Sequence, residues 1–276
     1  MSFFRLVRYD VRIGIIKRFY QYAICFLMVS AFVIGLYYVA LKRDMFSAKD
    51  ITFINALLYI FQGKDPFDPS SDNAFVFPIV WLLFFIYELY VVLDYSMGNM
   101  LGHGTQVLIR TGARFRWWIS KCIWVFACTF LYFLISYLSV LFVIFFAGGG
   151  LSFGYSEHIN TELLDMELFD LNGSGIFILL FLMPLLTALA MNFVQLICTL
   201  FFKETYSFLI SVALLFASSY YRFPWLIGNF AMVRRSHLYY EDGFLIETEI
   251  IIDAVVILIS ILAGGYIMKR IDIIRK

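Results

Sequence analysis

The residues of this 276-residue chain with most chemical potential are carboxylates and amides set inside apolar runs. Glu88 lies well inside one run, and Asp94 follows six residues later, about 9 Å along a helix axis and about 120° around it, so the two do not make one paired site. Asn192, Gln195 and Thr199 recur at i, i+3 and i+7 in another run and draw one polar stripe on an apolar helix. A charge inside a membrane helix costs about 2.5–3.5 kcal/mol on insertion scales, so it faces protein or a water-filled cavity. Glu88 therefore reads either as a cavity-lining or gating residue or as the partner of a hydroxyl or Arg on a neighbouring helix. Asp94, near the end of its run, reads as a structural ion-pair partner. The 192–199 stripe reads first as hydrogen bonding between helices and second as the lining of a substrate path.

The constellations of familiar enzymes are missing. His103, His158 and His237 make no pair at metal-ligand spacing and there is no Cys-x-x-Cys, so no metal site is expected. Gly173-Ser174-Gly175 has no span around it to hold a nucleophile, and Asp94 has no evident Asp facing it from a neighbouring run. Gly63-Lys64 is followed by Asp65 and lacks the earlier Gly of a phosphate-binding loop, so no nucleotide or other bound cofactor is expected on this chain. Composition agrees. Apolar and aromatic residues make up 62% and charged ones 15%, against roughly a quarter charged in a soluble domain, which excludes a soluble globular enzyme. Cys25, Cys122, Cys128 and Cys198 fall inside apolar runs and read as small buried hydrophobes. With a formal net charge of +1, no nucleic-acid partner is expected.

The elements that hold these residues follow from length. A helix needs about 20 mainly apolar residues to cross a bilayer, and six stretches qualify: 20–41, 75–97, 119–147, 176–202, 205–221 and 250–268. None alternates apolar and polar residues as a barrel strand would. The expected fold is an all-α integral membrane protein, one transmembrane domain over 1–276 with six transmembrane helices. Fourteen of the 21 Lys and Arg fall on one side of that scheme: Arg5, Arg8, Arg12, Lys17, Arg18, Arg110, Arg114, Arg116, Lys121, Lys203, Lys269, Arg270, Arg275 and Lys276. By the positive-inside rule both termini are cytoplasmic. The first apolar run is a full span with no small-residue cleavage site after it, so it is expected to stay as an anchor.

Outside the spans, residues 2–18 read as an amphipathic interface helix. Arg5, Arg8 and Arg12 share one face, and Phe4, Val7, Val11 and Ile15 line another. Residues 51–61 are too short to span and are expected to be interfacial or packed, ending in the turn Gly63-Lys64-Asp65-Pro66. Residues 161–169 suggest a short surface helix, and the apolar stretch from Trp225 to Val233 is expected to dip into the outer leaflet where protein buries it. Asn172-Gly173-Ser174 matches a glycosylation sequon, but no modification is expected there.

The segment after the second span is the strongest local signal. Gly102-His103-Gly104 breaks the helix; Thr105 to Arg110 forms a short apolar-backed helix; Thr111-Gly112 turns; Arg114-Phe115-Arg116-Trp117-Trp118 re-enters the membrane. Presenting hydroxyls and Arg together, the loop suits docking of another protein, or it is an ordinary positive-inside loop with interfacial Trp residues.

Here the chain resembles the membrane subunits of type-2 ABC (ABC-2) exporters. The stretch from Gly104 to Lys121, GTQVLIRTGARFRWWISK, is similar to that family's coupling segment, with Thr111-Gly112-Ala113-Arg114 where the family usually has a Pro-containing turn. The ending GGYIMKRIDII, from Gly264 to Ile274, is similar to the family's common close. The resemblance implies an ATP-driven exporter permease of the bacterial plasma membrane with a coupling helix between spans 2 and 3. It implies two cytoplasmic ABC ATPase subunits carrying ATP and Mg, a second permease, identical or paralogous, and membrane lipid as partners. Thr105, Gln106, Arg110, Thr111, Arg114 and Phe115 would form the main ATPase contact, with Arg5, Arg8 and Arg12 as a second. The resemblance also implies a path near the interface of two permeases, between the first, second and fifth spans, and the polar residues Glu88, Asp94, Asn192, Gln195 and Thr199 are the candidates in this sequence to line a path for a hydrophobic or amphipathic peptide, lipid or drug. Two other readings stand beside it: a membrane scaffold or sensor that does not transport, and a proton-coupled secondary transporter using Glu88.

Overall fold

Away from water only a helix satisfies its own backbone within one segment, and the apolar runs fold accordingly. A computed structural model describes residues 3–42, 46–67, 75–96, 114–152, 154–166, 173–239 and 242–270, and among them there are helices and no strand. α1 (Phe3–Gly14) passes through a 3₁₀ turn into α2 (Phe19–Lys42). The short α3 (Phe53–Phe61) precedes α4 (Ile79–Ser96) and α5 (Arg114–Ala147). After the one-turn α6 (Glu157–Glu162), α7 (Gly173–Phe177) continues through a π turn (Ile178–Leu182) into α8 (Met183–Phe201). α9 (Glu204–Tyr220) and two 3₁₀ turns, Ile227–Ala231 and Val233–Arg235, lead to α10 (Ile246–Arg270).

Four segments are long and apolar enough to cross a membrane: Phe3–Lys42, Arg114–Ala147, Gly173–Phe201 and Ile246–Arg270. They coincide with four of the six expected spans, which fits a helical membrane protein. α5 starts at Arg114, earlier than its apolar run, and its 34 residues extend about 51 Å, well beyond a hydrocarbon core of about 30 Å. The stretches 75–97 and 205–221 fold as the shorter α4 and α9, of 18 and 17 residues.

Side-chain pairs give the helix directions. α2 and α5 run parallel, with Cys25 beside Ser136 (3.3 Å) and Ser30 beside Ser139 (2.9 Å). α4 runs against α5, since Tyr132 donates to the Phe84 carbonyl while Thr129 lies beside the residue that contacts Glu88. α8 also opposes α5 (Tyr137 to Leu180, Thr129 to Asn192). Rings at Phe77–Phe216 and Tyr90–Phe208 set α9 against α4, and Trp118 and Phe115 meet Ile261 and Lys269 of α10 in antiparallel order. Six helices thus alternate in direction between two faces of the bundle. The proximal face carries α1, the start of α5 and the end of α10; the distal face carries α3, α6 and the two 3₁₀ turns before α10.

One expectation is refined and one corrected. Phe4 of α1 is 83% exposed and Ile15, just past the helix end, packs partly on the core, while a further line, Leu6, Asp10 and Gly14, is buried against α5. An ion pair at Asp10, described below, holds that line in place. The helix expected at 161–169 is instead Glu157–Glu162, and Asp165 with φ of 52° turns the chain so that Leu164 and Met166 are buried. Residues 167–169, Asn172 of the sequon and residues 271–274 of the closing motif lie outside the described residues.

Pro184 lies just after the π turn in the α7–α8 segment. It cannot donate to the carbonyl one turn back, and the Tyr137 hydroxyl donates to that carbonyl, Leu180, at 3.1 Å. On the distal face α3 is packed, with all of its residues buried except Tyr59. Its capping box is Thr52 and Asn55, whose Nδ2 also donates to the Ser156 carbonyl (3.1 Å) and Asn160 Oδ1 (2.7 Å). Gly148, at φ of 73°, closes α5 in the left-handed region, and the Gly150 amide then donates to the Ile51 carbonyl. Trp225 is 86% exposed, whereas Ile227–Val233 is buried against the helices and joined to α4 by Trp81 Nε1 donating to the Ala231 carbonyl.

Candidate functional site

Polar side chains inside the bundle gather where α4, α5 and α8 meet. Glu88 is fully buried, and its Oε1 accepts from Asn192 Nδ2 at 2.6 Å. The same amide nitrogen donates to Thr129 Oγ1 at 2.9 Å, so one Asn joins three helices. One turn along α8, Gln195 Nε2 donates to the Leu89 carbonyl at 3.0 Å. Thr199, the third member of the stripe, turns back to its own helix and donates to the Leu196 carbonyl at 2.6 Å. The stripe is therefore a seam between α8 and α4 over its first two residues and a local hydroxyl contact at the third. Asp94 lies on α4, but its side chain is outside the described residues.

A second acidic site went unnoticed in the sequence. Asp253 and Glu249, one turn apart on α10, are both buried, and Thr187 of α8 donates to Asp253 Oδ2 at 2.9 Å. Asp253 does not face Asp94: its partner Thr187 lies on α8 five residues before the Asn192 that holds Glu88, away from the Asp94 end of α4. The available signal was an Asp inside the apolar run 250–268.

The proximal face is organised by a buried ion pair. Lys121 Nζ donates to Asp10 Oδ1 at 2.8 Å, and Ser120 Oγ donates to Asp10 Oδ2; Asp10 and Lys121 are each 1% exposed. Asp10 is the only acid in the first 43 residues of a basic segment, a pattern that could have marked it. Arg5, Arg8 and Arg12 lie exposed on the rest of α1, as their spacing implies. At the start of α5, Arg114 Nη1 approaches the Lys269 carbonyl (3.4 Å), and Lys269 Nζ sits 5.1 Å from the Phe115 ring. Trp118 Nε1 donates to the Ile261 carbonyl at 2.9 Å. A Cβ on Gly264 would overlap the Trp118 ring, so Gly264 is what lets α10 approach α5 this closely. Thr105, Gln106, Arg110 and Thr111 lie outside the described residues.

The distal face is tied by two adjacent arginines. Arg234 donates to Asp65 Oδ2 (2.8 Å), to the Tyr239 hydroxyl and to the carbonyls of Leu164 and Asp165. Arg235 donates to the Lys64 and Ser219 carbonyls at 2.8 and 2.9 Å. Burial pulls the Arg235 guanidinium down to about 10, against the opposing pull of Asp65, and it stays charged at neutral pH. Beside this anchor a cavity of about 240 Å³ is lined by Tyr59, Lys64, Phe77, Trp81 and Arg234 among others. Among the described residues no three His, Cys, Asp or Glu stand together at metal-binding spacing.

In chemical terms the core seam can hold and release a proton or switch hydrogen bonds, and the proximal face can transmit force between α1, α5 and α10. The chain matches no protein-family model, no curated protein and no solved structure.

Proposed function

We propose that the chain is the membrane-spanning permease subunit of an ATP-driven exporter of the type-2 ABC class, working with separate cytoplasmic ATP-binding subunits and a second permease in the bacterial plasma membrane. The observation that carries the reading is the construction of the proximal face. There α1, the start of α5 and the end of α10 are tied together by the Asp10–Lys121 pair and by the Arg114, Phe115 and Trp118 contacts. The segment 97–113, which carries Arg110, is joined directly in sequence to that block, so a push on it is delivered to α5 and, through it, to α1 and α10.

On this reading the proximal face is cytoplasmic, and the alternation of six helices supports six crossings with both termini inside. α4 and α9, about 27 and 26 Å long, sit at the lower limit for crossing and would thin the bilayer locally. Thr105, Gln106, Arg110 and Thr111 meet the ATPase, Arg114 and Phe115 root that contact in α5, and Arg5, Arg8 and Arg12 provide a second one. ATP and Mg belong to the partner subunit, whose closure must favour one of two arrangements of the bundle. The cargo is a hydrophobic or amphipathic peptide, lipid or drug, in keeping with the aromatic content.

Affinity purification of the full chain from its native membrane tests this. A copurifying ATPase carrying a phosphate-binding loop, released when Arg110 and Arg114 are both changed to Glu, is the expected result. Recovery without any such ATPase, or capture indifferent to the charge reversal, overturns the respective assignment of partner or of contact.

A further inference from the structure

The core seam has more polar atoms than partners. Glu88 Oε1 is well supplied, but Oε2 accepts no hydrogen bond from any described residue. Both hydrogens of Asn192 Nδ2 are committed, to Glu88 and to Thr129, while Asn192 Oδ1 and Gln195 Oε1 are acceptors without donors.

The charges around Glu88 are as telling. From α2 the titratable groups close enough to interact with it are Tyr22 and Cys25, and from α5 they are Cys128 and Tyr132. α8 presents the neutral amides of Asn192 and Gln195. α3 and α9 meet α4 through the ring pairs Phe61–Phe84, Phe77–Phe216 and Tyr90–Phe208. The closest Lys on α5, Lys121, is already committed to Asp10. No Lys, Arg or His among the described residues makes an ion pair with Glu88. An isolated carboxylate in such surroundings is too costly to leave uncompensated.

We propose that Glu88 is a proton-binding site in the bundle core, holding one proton on Oε2 while Oε1 accepts from Asn192, and that this proton keeps α4 joined to α5 and α8. Geometry selects the atom. Oε1 already receives a donor, so a proton there would oppose the Asn192 N–H, whereas Oε2 accepts from no described residue. Loss of the proton leaves a bare negative charge among neutral dipoles at the contact of three helices, and the seam opens or draws in water to compensate. Site and consequence stand apart from the partner assignment, since neither needs an ATPase.

Infrared spectroscopy of the full chain in phospholipid bilayers reads the proton directly. To separate this site from the second acidic pair, the comparison is made on a Glu249→Gln, Asp253→Asn background. A protonated-carboxyl carbonyl band is expected at neutral pH, and Glu88→Gln is expected to remove it. A folded Glu88→Gln protein with the band unchanged overturns the proposal. So does a band that disappears on adding sodium at fixed pH, which would assign the site to a metal cation. Asn192→Ala, which leaves the carboxyl in place, provides the second reading: taking the donor from Oε1 moves the band to higher frequency, and an unmoved band counts equally against the assignment.

Discussion

At the residue scale, the interactions that organise this bundle are buried and few. The Asp10–Lys121 pair is the clearest case: breaking a buried pair by removing one partner strands the other charge and costs about 3–5 kcal/mol. Asp10→Asn is therefore expected to free α1 from α5, measured as faster amide exchange across Phe3–Gly14 with the core helices unchanged. Removing both charges together, as Asp10→Leu with Lys121→Met, should restore most of the protection, because the desolvation cost disappears with the pair. In the seam, Asn192→Leu removes a bridge between three helices. It should lower thermal stability by about 1–2 kcal/mol, the upper range for interhelical hydrogen bonds in membranes. Glu88 and the 192–199 stripe were legible as polar residues in apolar runs. Their partners were not, because Thr129 is an ordinary residue in its own run and acquires its role only when α5 is laid against α8.

At the element scale, helix identity follows from hydrophobic length, and helix facing does not. Residues 20–41 and 250–268 appear as helices close to their expected limits because nothing but apolar content decides them. α1 shows the other case. Its pattern showed an apolar line through Phe4 and Val7 suited to the membrane interface, but not the line that packs on α5, which a single Asp sets against a Lys more than a hundred residues away. Periodicity within one helix carries no information about a charge waiting on another. The contact of α5 with α10 yields a prediction of its own. Gly264→Leu forces a side chain into the Trp118 ring, and overpacking of this kind typically costs about 1–3 kcal/mol. Quenching or shift of Trp fluorescence together with a lower melting temperature is expected, whereas Gly265→Ala, with Phe115 at 3.0 Å and Trp118 at 3.4 Å, should be milder.

At the scale of the whole molecule, alternation of six helices between two faces makes a claim about sidedness. With Cys introduced singly, an impermeant thiol reagent added to intact cells should modify Lys64→Cys on the distal face and leave Arg8→Cys on the proximal face untouched until the membrane is opened. Modification of both from outside would refute the placement of the two faces. The native thiols interfere little, since Cys25, Cys122 and Cys128 are buried. The distal face also bears on how the protein comes to be made. Arg234 and Arg235 clasp carbonyls and a carboxylate at residues 64, 65, 164, 165 and 219, all of which leave the ribosome before the arginines do. On the proposed topology each earlier segment must wait, unclasped, until the last distal loop has followed it across the membrane. Closing the clasp is thus a late event in biogenesis, and a nascent chain stalled before residue 234 carries every one of those segments without the guanidinium groups that hold them together.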